Sequence, residues 1–238
     1  MKVKLVILFF SAFVQYGAAQ STELFFAKAN TFFATYVKDG LVDYQSIIAK
    51  PKALNELLAV GQDISVSQDK EREFQAFWIN AYNLLVIKGV VDAYPISSPL
   101  DQAGFFDKAL RNFGGKQLTI NDIENKLLRA NYPDEARFHF VLVCAGLGCP
   151  PIINQAYLPK SIDDQMQKQT EVALNNPNFV RVQENKVLLS QIFEWYKNDF
   201  LRNNSNLIEF VNQFREEPFD LGLEVSYYKY DWSLNDYK

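Results

Sequence analysis

The chain has 238 residues, of which 24 are basic and 28 acidic, and its formal net charge is −4. This acidic balance argues against nucleic acid or an anionic membrane surface as a partner, because both require a clustered positive field. Aromatic residues make up 15% of the chain. They are enough to fill a sizeable core, since each aromatic side chain buries ~150–250 Å².

Residues 1–19 have the three parts of a secretory signal. Lys2 and Lys4 precede an apolar run over residues 5–14, which is too short to cross a bilayer as a helix of ~20 residues. Small residues then predict cleavage before Gln20; the alternative is a buried first helix. We therefore expect export to the periplasm or the extracellular space, without stable membrane insertion. Cleavage removes two of the 24 basic residues and no acidic residue, which leaves 22 against 28.

The rest of the chain, residues 20–238, contains no low-complexity linker and no internal repeat, so one globular domain is predicted. Its first half is rich in helical patterns. Apolar spacing predicts helices over residues 22–36, 52–60 and 69–93. Residues 118–120 predict a short strand, and Thr119 then caps a helix that runs to about residue 130.

The second half mixes strand and helix patterns. Residues 137–144 (RFHFVLVC) predict a strand too apolar to be half exposed, so we expect it at the centre of a sheet. A hairpin is predicted over residues 179–189, with Glu184 and Asn185 at its turn. Further elements are predicted as helices over 159–174, 191–201 and 206–214 and as a strand over 223–230. Helices that bracket a small, mostly antiparallel sheet predict an α+β fold.

Asn80 and Asn83 lie three positions apart in the helix predicted over residues 69–93, so they occupy neighbouring positions on one face. Asparagine is a poor helix former because its side chain competes for backbone partners. Two of them in an apolar helix indicate buried, fully hydrogen-bonded amides. One interpretation is a structural network that ties the helix to a loop. The other is a catalytic role, in which the amides point into a cleft and hold a substrate or transition-state oxygen.

His139 is the single histidine of the chain. Its unperturbed pKa lies near neutrality, which makes it the best candidate for a catalytic general base. Glu124, in the preceding helix, is the candidate for orienting it. The alternative is a core histidine satisfied by a carboxylate or a carbonyl group. Along one strand, at ~3.3 Å per residue, His139 and Cys144 would be roughly 16 Å apart and could not form a catalytic pair.

Cys144 and Cys149 are the two cysteines of the chain, and four residues separate them. In an oxidising compartment such a pair is more often a disulfide than two free thiols, so a bridge that closes the glycine turn is predicted. Two unpaired cysteines, or a redox-active or metal-linked pair, remain as alternatives. One histidine and two cysteines at this spacing do not complete a recognised zinc ligand set, so no metal or other cofactor is predicted.

Two aromatic segments, residues 193–200 and 230–235, alternate ring side chains with aspartate and asparagine. Such side chains can stack on a sugar or another flat ligand. More often they pack a helix and a C-terminal strand onto the core. A ligand of this chain is expected to be a small molecule or a peptide of unknown identity, and the oligomeric state is left open.

Five motifs occur in an order that resembles the DUF547 family, preceded by GLVDY near the front of the chain. They are FWINAYN (77–83), LTINDIE (118–124), HFVLVCAGLGCPPI (139–152), LLSQIFEWYKNDF (188–200) and YKYDWSLN (228–235). The resemblance covers most of residues 20–238. It implies an exported single-domain protein of the bacterial type, with no assigned activity. Plant members carry the domain beside a leucine zipper and act as interaction proteins.

The pattern is also distantly similar to papain- and transglutaminase-like folds, in which a helix packs on a sheet and a strand brings in the histidine. Here Asn80 and Asn83 stand where a nucleophilic cysteine would be wanted. Three hypotheses follow. The first is a hydrolase-like acyl-transfer enzyme with His139 as base and the amides as oxyanion holders. The second is a non-catalytic binding or protein-interaction domain, and the third is a thiol–disulfide protein.

Overall fold

The computed structural model describes residues 22–238, and the predicted signal over residues 1–19 lies outside that range. Helices combine with small, mostly antiparallel sheets, so the predicted α+β class is confirmed. The structure begins with the helices α1 (residues 22–36), α2 (Tyr44–Ala49), α3 (Lys52–Gln62) and α4 (Glu71–Ala93), and α6 (Ile162–Leu174) comes later. Between α4 and α6, the short helix α5 (Ile120–Asp122) continues as a π-helix (Ile123–Arg129) and is followed by a 3₁₀ helix (Ala136–Phe140). Three short helices come later, namely α7 (Ile192–Trp195), α8 (Lys197–Phe200) and α9 (Leu207–Asn212).

The helix α4 is the centre of the fold. Its residues from Phe74 to Ile87 are buried without interruption, because apolar and small side chains occupy all of its faces rather than one stripe. The helix predicted over residues 69–93 is therefore confirmed, although the burial goes all the way round. A helix buried on every side supports a layer of structure against each face, and α4 carries the two asparagines at its middle.

Within residues 22–238, the strands form three small sheets. Two are antiparallel pairs, β1 (Val37–Lys38) with β2 (Leu41–Val42) and β3 (Arg111–Phe113) with β4 (Lys116–Leu118). The third has the order β5–β6–β7, with strands Arg181–Gln183, Lys186–Ser190 and Glu224–Tyr228. Here β5 and β6 form the predicted hairpin, whereas β6 and β7 are parallel. The sheets are thus mostly antiparallel, as predicted.

Local hydrogen bonds explain where the helix α5 begins. Thr119 accepts a hydrogen bond from the backbone N–H of Asp122 at 3.1 Å, and Asp122 accepts one from the N–H of Thr119 at 2.9 Å. This reciprocal pair is a capping box, which satisfies two otherwise unpaired N–H groups at the start of α5. The helix predicted after Thr119 is confirmed, and it places Glu124 one turn further along.

The prediction of a central strand over residues 137–144 is wrong. The segment forms the 3₁₀ helix Ala136–Phe140 and then continues as an extended stretch that belongs to no sheet. The stretch is as deeply buried as predicted, but a side chain rather than a neighbouring strand satisfies its backbone. An apolar run of eight residues indicates burial, and it does not distinguish a strand from a buried helix or loop.

In the described part of the chain, the core has two hydrophobic clusters. The larger surrounds α1 and α4, and the smaller is built around Phe140, Phe193, Phe200 and Phe210. Cys149 packs against both clusters. The turn that carries the two cysteines therefore lies where the clusters meet. Among residues 22–238, no helix is both long enough and apolar enough to cross a bilayer.

Candidate functional site

Asn80 clamps the backbone of a distant loop onto α4. Its amide nitrogen donates to the carbonyl oxygens of Ala76 at 2.8 Å and Tyr157 at 2.7 Å. Its amide oxygen accepts from the N–H of Tyr157 at 3.0 Å. The side chain is fully buried. Both ends of the amide are therefore occupied by protein backbone.

Asn83 does the same for the extended stretch after the 3₁₀ helix. It donates to the carbonyl oxygen of Val141 at 2.9 Å and accepts from the N–H of Val143 at 2.9 Å. The amide thus takes the place of one residue of a neighbouring β-strand. This geometry favours the structural interpretation of both asparagines. Neither is among the residues that line the cleft formed by the other candidates.

A small cleft collects the remaining candidate residues, and we call it the thiol cleft. It encloses about 70 Å³. Its polar and sulfur-bearing lining consists of Tyr82, Glu124, His139, Cys144, Cys149, Tyr196 and Tyr230. A drug-sized ligand needs a pocket of ~300–1,000 Å³, so the cleft is suited to one small group, such as a side chain or the end of a peptide.

His139 is held by a carboxylate, although not by the predicted one. Its Nε2 lies 2.8 Å from Oδ2 of Asp199 on α8, and the Nε of Arg129 lies 2.7 Å from the same oxygen. The imidazole ring also stacks on Tyr196 at 4.1 Å between centroids. Burial by itself raises the pKa of Asp199, but the hydrogen bonds from His139 and Arg129 outweigh it and hold that pKa well below its ordinary value. Asp199 is therefore an anion that fixes the imidazole.

Glu124 lines the thiol cleft as well, but it does not orient His139. The hydroxyl of Tyr82 donates to Glu124 Oε2 at 3.4 Å. Burial, followed by the charge of Glu124, raises the pKa of Tyr82 well above its ordinary value. The prediction that Glu124 positions the histidine is thus wrong, because Asp199 occupies that place. Glu124 instead supplies a negative charge to the cleft wall.

The cysteine turn brings two sulfur atoms into contact. Cys144 and Cys149 are free thiols in this structure, and their Sγ atoms are 2.7 Å apart. The predicted disulfide bond, which would be ~2.05 Å long, is not formed. The turn closes through the N–H of Cys149, which donates to the carbonyl of Gly146 at 3.1 Å. Ala145 adopts a left-handed φ of +64°, which is unfavourable for a residue with a Cβ.

The two thiols differ in acidity because their surroundings differ. For Cys144, burial alone raises the pKa. Hydrogen bonds from the Cys149 thiol, the Tyr230 hydroxyl and the N–H of Gly146 outweigh burial and lower it. For Cys149, burial and the bond to Cys144 both raise the pKa well above its ordinary value. Cys144 is therefore the sulfur that carries a negative charge first.

The C-terminal segment covers the cysteine turn from one side. Gly148 donates its N–H to the carbonyl of Asp231 at 2.8 Å, and Leu147 donates to that of Ser233 at 2.8 Å. A Cβ on Gly148 would lie 2.9 Å from the ring of Tyr230 and from the backbone nitrogen of Asp231, so only glycine allows this approach. The segment thereby sets Tyr230 against the two sulfurs.

The aromatic segments both pack and line the cleft. Trp195 and Trp232 are stacked, with centroids 6.1 Å apart, and Tyr230 lies 4.7 Å from Trp232. Trp195 remains 47% exposed, so its ring is available at the surface. Both segments stand out in the sequence, but Asp199 and Tyr230 do not stand out within them as functional candidates. The sequence signal for these two residues is an acidic side chain and a hydroxyl group within segments made largely of packing residues.

The structure places His139 and the cysteines together, contrary to the 16 Å separation expected along a strand. All three line the thiol cleft, because the backbone turns through the 3₁₀ helix and then through the glycine turn. In the part of the chain that the structure describes, there is no group of three or more His, Cys, Asp or Glu side chains placed to hold a metal ion.

The fold and the cleft define an α+β protein with a histidine–aspartate pair beside two adjoining thiols. Residues 66–172 match the family model described as "Protein of unknown function, DUF547", and the predicted resemblance to DUF547 is confirmed over this segment. The matched segment contains His139 and both cysteines, whereas Asp199 and Tyr230 lie beyond it. No curated protein and no solved structure matches the chain. The likeness to papain- and transglutaminase-like folds stays a prediction.

Proposed function

We propose that this protein is a thiol–disulfide protein, in which Cys144 and Cys149 exchange with the disulfide of a small molecule or a peptide. The observation that carries the proposal is the contact of the two sulfurs, at 2.7 Å, in the wall of a cleft. Both cysteines are half-buried residues in the wall of that cleft, which is the route for a partner to reach them. A pair this close can close into a disulfide by small side-chain movements.

The exchange has two balanced steps. The Cys144 thiolate attacks one sulfur of the partner disulfide, a mixed disulfide forms, and the other partner sulfur leaves as a thiolate. Cys149 then loses its proton and attacks the Cys144 sulfur. An intramolecular disulfide forms, and the second partner sulfur leaves. The partner disulfide is the oxidant: it gains two electrons, and the two cysteines lose them.

The acidity of the two thiols supports this order. Because hydrogen bonds lower the pKa of Cys144, it is the thiol that ionises more readily and provides the attacking thiolate. Cys149 has the higher pKa and is adjacent to the mixed disulfide, which suits a resolving cysteine. The anionic Asp199 holds His139, and the imidazole lines the same cleft as the two thiols.

The experiment equilibrates the purified protein with mixtures of reduced and oxidised dithiothreitol at graded ratios. Acid quenching, alkylation under denaturation and intact mass then count the free thiols. We expect one transition in which both thiols disappear together. In Cys149→Ala, incubation with oxidised glutathione should trap a mixed disulfide at Cys144, and the matched variant Cys144→Ala should react far more slowly. Two thiols that stay free at every ratio would contradict the proposal.

Acyl transfer is the second candidate, favoured by a specific observation: His139, which Asp199 holds, lines the same cleft as Cys144. In this reaction the Cys144 thiolate attacks a carbonyl carbon, His139 gives a proton to the leaving group, and water hydrolyses the thioester. The asparagines, which the sequence hypothesis made oxyanion holders, take no part in this reaction because Asn80 and Asn83 bind backbone. The assay is p-nitrophenyl acetate turnover by the reduced protein. If His139→Ala and Cys144→Ala turn over as fast as the unaltered chain, this candidate is eliminated.

A non-catalytic binding or interaction domain is the outcome if both assays are negative while the protein remains folded. In that case the polar groups of the cleft only stabilise the fold. The two cysteine variants separate these possibilities. If the cysteines have only a structural role, their substitution changes the melting temperature, and the unaltered protein shows no activity in either assay.

We also propose that the chain is exported after cleavage of residues 1–19. The motivation is the pattern of two lysines, a short apolar run and small residues before Gln20. Fractionation of expressing bacteria, followed by N-terminal sequencing, tests the point. We expect a periplasmic or secreted protein that begins at Gln20, and a matched Leu5→Arg/Leu8→Arg variant should stay unprocessed. A cytoplasmic chain with an intact N-terminus would overturn the proposal.

A further inference from the structure

The two sulfurs share one hydroxyl group. Oη of Tyr230 lies 2.8 Å from Sγ of Cys144 and 2.9 Å from Sγ of Cys149. It is contributed by a part of the chain 86 positions away from Cys144. A phenolic hydroxyl has one proton to donate, so it can donate to one sulfur at a time.

The hydroxyl is held rigidly against the sulfurs. The backbone N–H of Tyr230 donates to Oε1 of Gln191 at 2.8 Å, and the residue is 4% exposed. Its ring is packed between Trp195, at 5.1 Å, and the backbone of Gly148. A group fixed on two sides keeps its position while the charge on the sulfurs changes.

We propose that Tyr230 is a positioning residue for thiol–disulfide exchange, whose hydroxyl donates to whichever sulfur is anionic. This inference rests on the proposed function and assigns a role to a residue outside the two cysteines. The hydroxyl stabilises the Cys144 thiolate before attack. It then turns to Cys149 as that sulfur loses its proton in the second step, without movement of the ring.

The physical reason is the difference between an ionised and a neutral acceptor. A hydrogen bond to a charged acceptor is roughly twice as strong as one to a neutral acceptor. A disulfide sulfur is neutral, so the hydroxyl stabilises the reduced pair more than the oxidised pair. Tyr230 thus makes Cys144 more acidic and makes the closed disulfide easier to reduce.

The measurement compares Tyr230→Phe with the unaltered protein. The substitution removes one oxygen atom and keeps the ring. We expect the pH midpoint for alkylation of Cys144 by iodoacetamide to rise by about one unit. We also expect the equilibrium constant for disulfide formation against dithiothreitol to rise roughly tenfold, which equals about 30 mV for two electrons. Tyr228→Phe is the matched control, because the Tyr228 hydroxyl donates to the carbonyl of Phe179 at 2.9 Å instead.

Other titratable groups near the sulfurs stay the same in both variants, so the difference between them reports the hydroxyl. These groups are Tyr44, Tyr82, Glu124, His139 and Tyr196. A Tyr230→Phe protein that is folded and titrates like the unaltered chain would overturn the inference. If Tyr230→Phe does not fold, 3-fluorotyrosine at position 230 supplies a stronger donor on nearly the same ring. It should then lower the midpoint, and no shift would be contrary to the role.

The two proposals fail in different ways. If the unaltered protein never exchanges with a disulfide, the proposed function is lost, but the alkylation profiles of Cys144 still test the hydroxyl. If exchange occurs and Tyr230→Phe changes neither the profile nor the equilibrium constant, exchange stands without Tyr230.

Discussion

Replacement of Asn83 by alanine tests the claim that this amide stabilises the fold rather than performs chemistry. Asn83→Ala removes both hydrogen bonds to the extended stretch, and it leaves the carbonyl of Val141 and the N–H of Val143 without partners. Those two residues are only 1% and 4% exposed, so water does not replace the amide. Each buried unsatisfied group costs ~1–3 kcal/mol. We therefore expect a loss of about 2–6 kcal/mol in the free energy of unfolding.

Urea unfolding followed by tryptophan fluorescence measures this loss. With a slope of ~2 kcal/mol per molar, the midpoint should fall by about 1–3 M. The control is Asn55→Ala on α3, where the side chain is exposed and the change should stay within ~0.5 kcal/mol. A loss for Asn83→Ala no larger than that of the control would refute the clamp. If Asn83→Ala abolished exchange or acyl transfer at unchanged stability, Asn83 would have a role in the reaction instead.

Three further expectations concern the glycine turn, the Asp199 ion pair and the β5–β6 turn. Gly148→Ala places a Cβ 2.9 Å from the Tyr230 ring, so it should lower the stability measured in thermal melts by ~1–3 kcal/mol. The control Gly222→Ala should change the stability little. Equal effects of the two substitutions would be evidence against the close approach. The pKa of Asp199 is depressed in the folded state, so the stabilisation it gives is present above its ordinary pKa of ~3.9 and is lost as the pH falls below that value. The free energy of unfolding of Asp199→Asn should therefore vary less between pH 5 and pH 2 than that of the unaltered chain. Parallel curves for the two proteins would contradict the ion pair. Glu184 has a φ of +52° in the β5–β6 turn, so Glu184→Gly should raise stability by up to about 1 kcal/mol in urea unfolding, and a loss would show that the turn is not strained.

Much of the fold is predictable from the sequence where the signal is local. The long apolar run of α4, the Thr119 capping box and the β5–β6 turn all depend on residues close together in the chain. The strand over residues 137–144 was predicted wrongly because its backbone partners come from Asn83, 58 and 60 positions away. No local pattern distinguishes a stretch paired by a side chain from one paired by a strand.

The candidate site was predictable in its sulfur and imidazole groups and unpredictable in their partners. A single histidine and two closely spaced cysteines stand out by rarity alone. Asp199 and Tyr230 do not, because aspartate and tyrosine are common and these two come from positions 60 and 86 residues distant. Only the tertiary fold shows that Asp199, and not Glu124, holds His139.

The hydrogen bonds between the cysteine turn and the C-terminal segment have a consequence for synthesis in the cell. Cys144 precedes Tyr230 by 86 positions. At ~5–20 residues per second, a ribosome needs roughly 4–17 s to add them. During that interval the thiols exist without the hydroxyl that sits between them. The hydroxyl affects the reactivity of the thiols only after the C-terminal segment has packed on the cysteine turn. An oxidant that encounters the chain earlier reacts with two cysteines that lack this hydrogen bond.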